Sequence, residues 1–204
     1  WGATLVLPTA DPTSDTTGHV DPKFEYYNCG VRAVLCIDRS GSMSGEPISL
    51  AKSAANTFVN LTKDSDQLAV TSYSDIASTN FAMATMTTTN KTAARNAING
   101  ISASGTTNIG GGLQLSLNQI TGAGTPVSNE VIVLLSDGQH NTGTHPDSVL
   151  PALKARGVTV YTIGLGSVDA DLMRNIATQT GGSYLYATSN AQLMGHFQQI
   201  LAEL

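Results

Sequence analysis

Val31-Arg32-Ala33-Val34-Leu35-Cys36-Ile37-Asp38 is a nearly continuous apolar run that ends in one carboxylate, and Arg39-Ser40-Gly41-Ser42-Met43-Ser44-Gly45-Glu46 follows it at once. Alternation between apolar and polar residues disappears when helices cover both faces of a parallel sheet, so the run reads as a doubly buried strand. Asp38 is then its last residue. Ser40 and Ser42 lie two and four residues on, where a tight turn can aim their hydroxyls at the same point as the carboxylate. Oxygen-only ligands converging on one point suit a hard divalent cation, Mg²⁺ foremost, with Mn²⁺ or Ca²⁺ as alternatives. Open parallel sheets bind ligands beyond the carboxyl ends of their strands, which is where this corner lies.

Working outward, Glu130–Leu135 repeats the arrangement: a short buried strand, then Ser136-Asp137-Gly138. Between them, Ile48, Ala51, Ala55, Phe58, Val59 and Leu61 recur at helical spacing and predict a helix from Pro47 to Thr62, with Pro47 in its first turn. Gln67–Tyr73 and Thr79–Met86 read as strands whose short link makes them antiparallel, the second at a sheet edge. Asn90–Asn99 and a segment carrying Leu113, Leu117 and Ile120 read as helices. Further on, a helix over Pro146–Ala155, a strand over Val158–Ile163, a helix over Asp169–Gln179, a strand over Ser183–Ala187 and a final helix over Asn190–Leu204 complete the pattern. Strand alternating with helix through short loops means an α/β fold: a doubly wound, Rossmann-like, mainly parallel sheet of six strands.

The 204 residues suffice for one sizeable core. A net charge of −5 without Lys/Arg clusters argues against a nucleic-acid partner. No apolar run approaches the roughly 18 residues that a membrane span needs. The chain opens at Trp1 without a signal sequence and reads as a mature or excised piece. Charged residues make up only 12% while Ser, Thr, Asn and Gly abound, a bias towards an exported or surface protein. Residues 1–30 differ in character: Ala3–Leu7 suits a short strand, and the Pro/Asp/Thr-rich stretch after it reads as a loop. We expect an arm packed on the domain through Phe24, Tyr26 and Tyr27, with the domain proper over 31–204. Cys29 and Cys36 lie roughly 20 Å apart in an extended chain, too far for a bridge without a reversal at Gly30.

Two strand-terminal carboxylates, Asp38 and Asp137, reach one rim if their strands are neighbours. Ser104-Gly105-Thr106-Thr107-Asn108 precedes a helix and can join them there; Thr106 and Thr107 also have a reading as helix caps, which the spacing favours less than the metal reading. Enzymatic patterns are weaker. Serines 40, 42 and 44 do not form G-x-S-x-G, and no histidine is tied to them by spacing. His140 and His145 lack a third zinc ligand by sequence, and Gly110–Gly112 lacks the Lys-Ser/Thr of a phosphate loop. Asp75 reads as a turn residue.

Asp38-Arg39-Ser40-Gly41-Ser42 matches the D-x-S-x-S motif of von Willebrand factor type A domains, Gly105-Thr106-Thr107-Asn108 resembles their threonine loop, and Leu134-Leu135-Ser136-Asp137-Gly138 resembles their T-D-G strand end. The resemblance covers about residues 31–204 and implies a metal-ion-dependent adhesion site. The motif carries over as hydroxyl ligation by Ser40, Ser42 and Thr107, with Asp38 and Asp137 acting directly or through water. Ser136 and Gln139 depart from the Thr and Glu frequent in the family, which implies altered tuning of the site. What the resemblance implies functionally is an extracellular or cell-surface module, not an enzyme, that coordinates the cation and captures a Glu or Asp carboxylate of a protein partner. The alternatives are an intracellular assembly subunit beside an ATPase or chelatase and, in a different class, a metal-assisted hydrolase.

Overall fold

The computed structural model describes residues 30–203. The arm, with Ala3–Leu7, its aromatic anchors and Cys29, lies outside the described residues, as does Leu204. Six strands form one sheet: β1 (Arg32–Asp38), β2 (Gln67–Tyr73), β3 (Ala77–Thr85), β4 (Glu130–Ser136), β5 (Thr159–Leu165) and β6 (Tyr184–Ala187). Their order is β3-β2-β1-β4-β5-β6. β3 runs antiparallel to β2, and every other pairing is parallel. The expected architecture is therefore present, with the opening strand central and the antiparallel strand at one edge. Gln119 covers that edge, accepting from the Met83 amide and donating to Thr79 Oγ1.

All seven residues of β1 are buried. Ala33, Leu35 and Ile37 face one core, built with α1 (Glu46–Leu61), α2 (Thr88–Asn99) and α6 (Asn190–Glu203). Val34 and Cys36 face the other, built with α3 (Ile109–Gly122), α4 (Leu150–Arg156) and α5 (Ala170–Gln179). A strand with helices on both sides needs apolar residues at every position, which is why its pattern did not alternate. In α6, Leu193, Phe197 and Ile200 are wholly buried, and Phe197 meets Phe58 of α1 edge to face at 5.4 Å.

One expected helix is divided. Pro146–Ser148 forms a 3₁₀ turn, and α4 starts only at Leu150. A single helix over Pro146–Ala155 would put Pro151 in its interior, where it has no N–H to donate and its ring clashes with the carbonyl four residues earlier. Starting the helix at Leu150 moves Pro151 into the first turn, where neither penalty applies.

Candidate metal centre

The sheet order makes β1 and β4 neighbours, with Ile37 opposite Leu135. Asp38 and Asp137 consequently emerge at the same rim, with Ser136 between them. The Ser136 hydroxyl donates to Asp38 Oδ2 at 2.6 Å, and the Ser40 amide donates to Asp38 Oδ1 at 2.8 Å. Both carboxylate oxygens of Asp38 are thus held, and the residue is wholly buried. Burial pushes its carboxyl up to about 6 against the opposing hydrogen bonds from Ser136 and Ser40, and the Asp137 charge raises it further. Desolvation also raises Asp137, opposed by its bond from Ser42.

A 3₁₀ turn, Gly41–Met43, follows β1 and brings the two serines together. Ser40 Oγ lies 3.1 Å from Ser42 Oγ, and Ser42 Oγ donates to Asp137 Oδ1 at 2.8 Å. The threonine loop closes the third side. Its backbone is tied to the serine turn by Gly41 N–H to Gly105 O at 2.9 Å and Ser104 N–H to Arg39 O at 2.7 Å.

Neither threonine caps the helix. Asn108 is the N-cap of α3, its Oδ1 accepting from the Gly111 amide at 2.9 Å. Thr106 turns outward and donates its hydroxyl to Asp75 Oδ1, which also accepts the Thr106 amide. Asp75 is therefore more than a turn residue: it anchors the threonine loop. Gly105 between them has φ +82°, and a Cβ there would strike the Asp75 carboxylate. Thr107 turns inward, is nearly buried, and its hydroxyl makes no hydrogen bond among the described residues. A Cβ placed on Gly138 would lie 3.4 Å from Ser42 Oγ and 3.6 Å from Thr107 Oγ1, so the space between these hydroxyls is kept open by the missing side chain. Asn108→Ala is expected to cost about 1 kcal/mol of stability through the lost cap, read as a shift in denaturation midpoint.

All five residues singled out from the sequence, Asp38, Ser40, Ser42, Thr107 and Asp137, line this rim. A hydroxyl without a protein partner on a nearly buried residue, an open cradle and an all-oxygen donor set fit a hard divalent cation. Asp75, read from the sequence only as a turn residue, and Asn141, which holds Thr107 from the other side, were not singled out for the site. His140 and His145 meet edge to face at 5.2 Å, and His140 Nδ1 is buried without a hydrogen-bond partner. Among the described residues, no three His, Cys, Asp or Glu side chains converge to hold a metal. No histidine there hydrogen-bonds Ser40, Ser42 or Ser44, so these serines have no paired base.

The family model described as "von Willebrand factor type A domain" matches residues 34–200. The chain is 31% identical over 160 residues to the uncharacterized protein YfbK of Escherichia coli, covering 75% of this chain and 28% of that protein. It spans well under half the length of the curated relatives it matches, between 20% and 40%. Among solved structures, a von Willebrand factor type A protein from Catenulispora acidiphila superposes with a TM-score of 0.79 at 21% identity, over 85% of this chain and 42% of that one. Proximal thread matrix protein 1 from the mussel byssus, in a form with a zinc-occupied MIDAS motif, gives a TM-score of 0.72 at 25% identity over 85% of this chain and 48% of that one.

Proposed function

The chain belongs to the von Willebrand factor type A domain family, and on that premise we propose that its rim binds one divalent cation and uses it to capture a carboxylate of a protein partner. The observation that carries the reading is the Thr107 hydroxyl, which belongs to a nearly buried residue, makes no hydrogen bond among the described residues and lies near Ser42 at the cradle beside Gly138. The ligand set is Asp38, Ser40, Ser42, Thr107 and Asp137, carried by a domain over residues 31–204. The cation is Mg²⁺ or Mn²⁺, with Ca²⁺ as the larger alternative, since all five side chains offer oxygen. Zinc in the mussel protein's MIDAS supports cation binding in this fold position and leaves the choice of metal to the donors.

When bound, the cation supplies an electrophilic centre for an incoming carboxylate. This chain's residues set how strongly. Ser136 and the Ser40 amide occupy both Asp38 oxygens, so Asp38 shares its charge with these donors. Ser40, Ser42 and Thr107 are neutral. The site therefore withholds negative charge and favours a Glu or Asp from a partner as the balancing group. The low charge content of the chain fits a partner met at a cell surface or outside the cell.

Calorimetric titration of the chelator-treated protein should show one Mn²⁺ or Mg²⁺ per chain and no detectable binding to Asp38→Ala. Wild-type affinity in that variant would move the ion elsewhere.

A further inference from the structure

Thr107 is held from a segment far away in sequence. Its amide donates to Asn141 Oδ1 at 2.9 Å, and its carbonyl accepts the Asn141 amide at 3.1 Å. One side chain and one peptide unit thus grip both polar groups of the Thr107 backbone. The segment that carries Asn141 begins at Asp137 itself, four residues earlier. It also lies flat on the start of α3: a Cβ on Gly110 would come 2.0 Å from the Thr144 carbonyl oxygen. On the other side, Asp75 grips the Thr106 amide and the Ser74 carbonyl accepts the Asn108 amide at 2.9 Å. Three consecutive amides, at 106, 107 and 108, are therefore each taken by another loop, leaving the Thr107 hydroxyl as the one polar group of that residue directed at the rim without a partner.

We infer that Asn141 is the positioning residue for Thr107: its amide oxygen fixes the threonine backbone so that the hydroxyl is delivered to the cation. The inference rests on the metal reading above. Among the described residues, Asn141 hydrogen-bonds to no other proposed ligand, and the residue is exposed. Its role is to limit the positions Thr107 can take, and so to lower what the site must spend in ordering on metal binding.

The test is a double-variant cycle with Mn²⁺ as the probe. Asn141→Ala, or Asn141→Ser should the first fold poorly, is expected to weaken Mn²⁺ binding about 10–100-fold, the range usual for residues that orient a metal ligand. Asn141→Asp keeps the accepting oxygen and should retain at least wild-type affinity. In the Thr107→Val background, which lacks the hydroxyl, Asn141→Ala should add no further loss. Amide exchange supplies a readout without metal: Thr107 N–H should lose protection in Asn141→Ala and keep it in Asn141→Asp. Wild-type Mn²⁺ affinity in Asn141→Ala, or losses that simply multiply in the double variant, would overturn the inference while Asp38→Ala still reports a metal site. If Asp38→Ala binds Mn²⁺ as the wild type does, the metal reading fails and this inference falls with it.

Discussion

Glu130→Ala is expected to lower the stability of the domain by about 3–5 kcal/mol, the usual consequence of removing one partner from a buried ion pair. Glu130 opens β4 at the end of the sheet opposite the rim. Its Oε1 accepts from Arg32 Nη1 at 2.6 Å, and Oε2 accepts from Arg156 Nε at 2.6 Å. Arg156 Nη2 adds a second bond to Oε1 at 2.8 Å. Arg32 is only 5% exposed, so losing the carboxylate would leave a guanidinium in the interior with neutral partners alone: Gln67 and the carbonyls of Thr125 and Ala123. Burial opposes ionisation of Glu130, yet the hydrogen bonds and charge of Arg156, with the hydrogen bonds from Arg32 and the Val127 amide, hold its carboxyl below the usual range. A carboxyl depressed by folding stabilises the native state above its unfolded value, about 4.3, and loses that contribution as pH falls through its folded value. Chemical denaturation should therefore show the wild type weakening in acid more steeply than Glu130→Gln. One β-strand of seven residues, about 20 Å, separates this knot from the rim. Mn²⁺ affinity of folded Glu130→Ala should accordingly equal the wild type. A loss of stability below about 1 kcal/mol, the size of an ordinary hydrogen bond, would show the triad to be dispensable.

At the rim the sign is reversed. Burial lifts Asp38 to about 6, above the roughly 3.9 of an unfolded aspartate. The native state therefore holds this proton more tightly than the unfolded chain. Metal-free stability should fall as pH rises from about 4 to 6, and above 6 the full cost of the buried charge, about 3 kcal/mol, is present. With Asp38 as the ligand proposed above, cation binding needs the carboxylate and should strengthen across the same interval. Heating scans are thus expected to show a larger Mn²⁺ stabilisation at pH 7 than at pH 5. Asp38→Asn removes the charge while its Oδ1 can still accept the Ser40 amide. Metal-free, this variant should gain on the order of 1–3 kcal/mol at pH 7 while losing the response to Mn²⁺, as expected where a strained group is kept for function. An Asp38→Asn variant less stable than the metal-free wild type at pH 7 would contradict this account of the buried charge.

Local sequence carries the elements, because burial imposes its period on a strand or helix directly. Val31–Asp38 announces a doubly covered strand, and the stripe from Ile48 to Leu61 announces a covering helix. The division at Pro151 was also written in the sequence, since a proline six residues into a helical pattern ends or restarts it. Asn108 three residues ahead of Gly111 was an equally local cap signal, in competition with two threonines that read the same way.

The sequence by itself thus determined the layered α/β fold and the two strand-end carboxylates, along with the hydroxyl residues that accompany them. All of these follow from which residues sit at the end of which run. Only the tertiary structure decided that β1 and β4 are neighbours, that Thr106 turns to Asp75, and that of the two threonines it is Thr107 whose hydroxyl faces the rim. It also brought Asn141 to Thr107 across 34 positions and Asp75 to Thr106 across 31. The physical reason is that a side chain's hydrogen bond to a distant backbone amide leaves no periodic trace: it depends on where two loops meet, and the packing of the whole sheet settles that place.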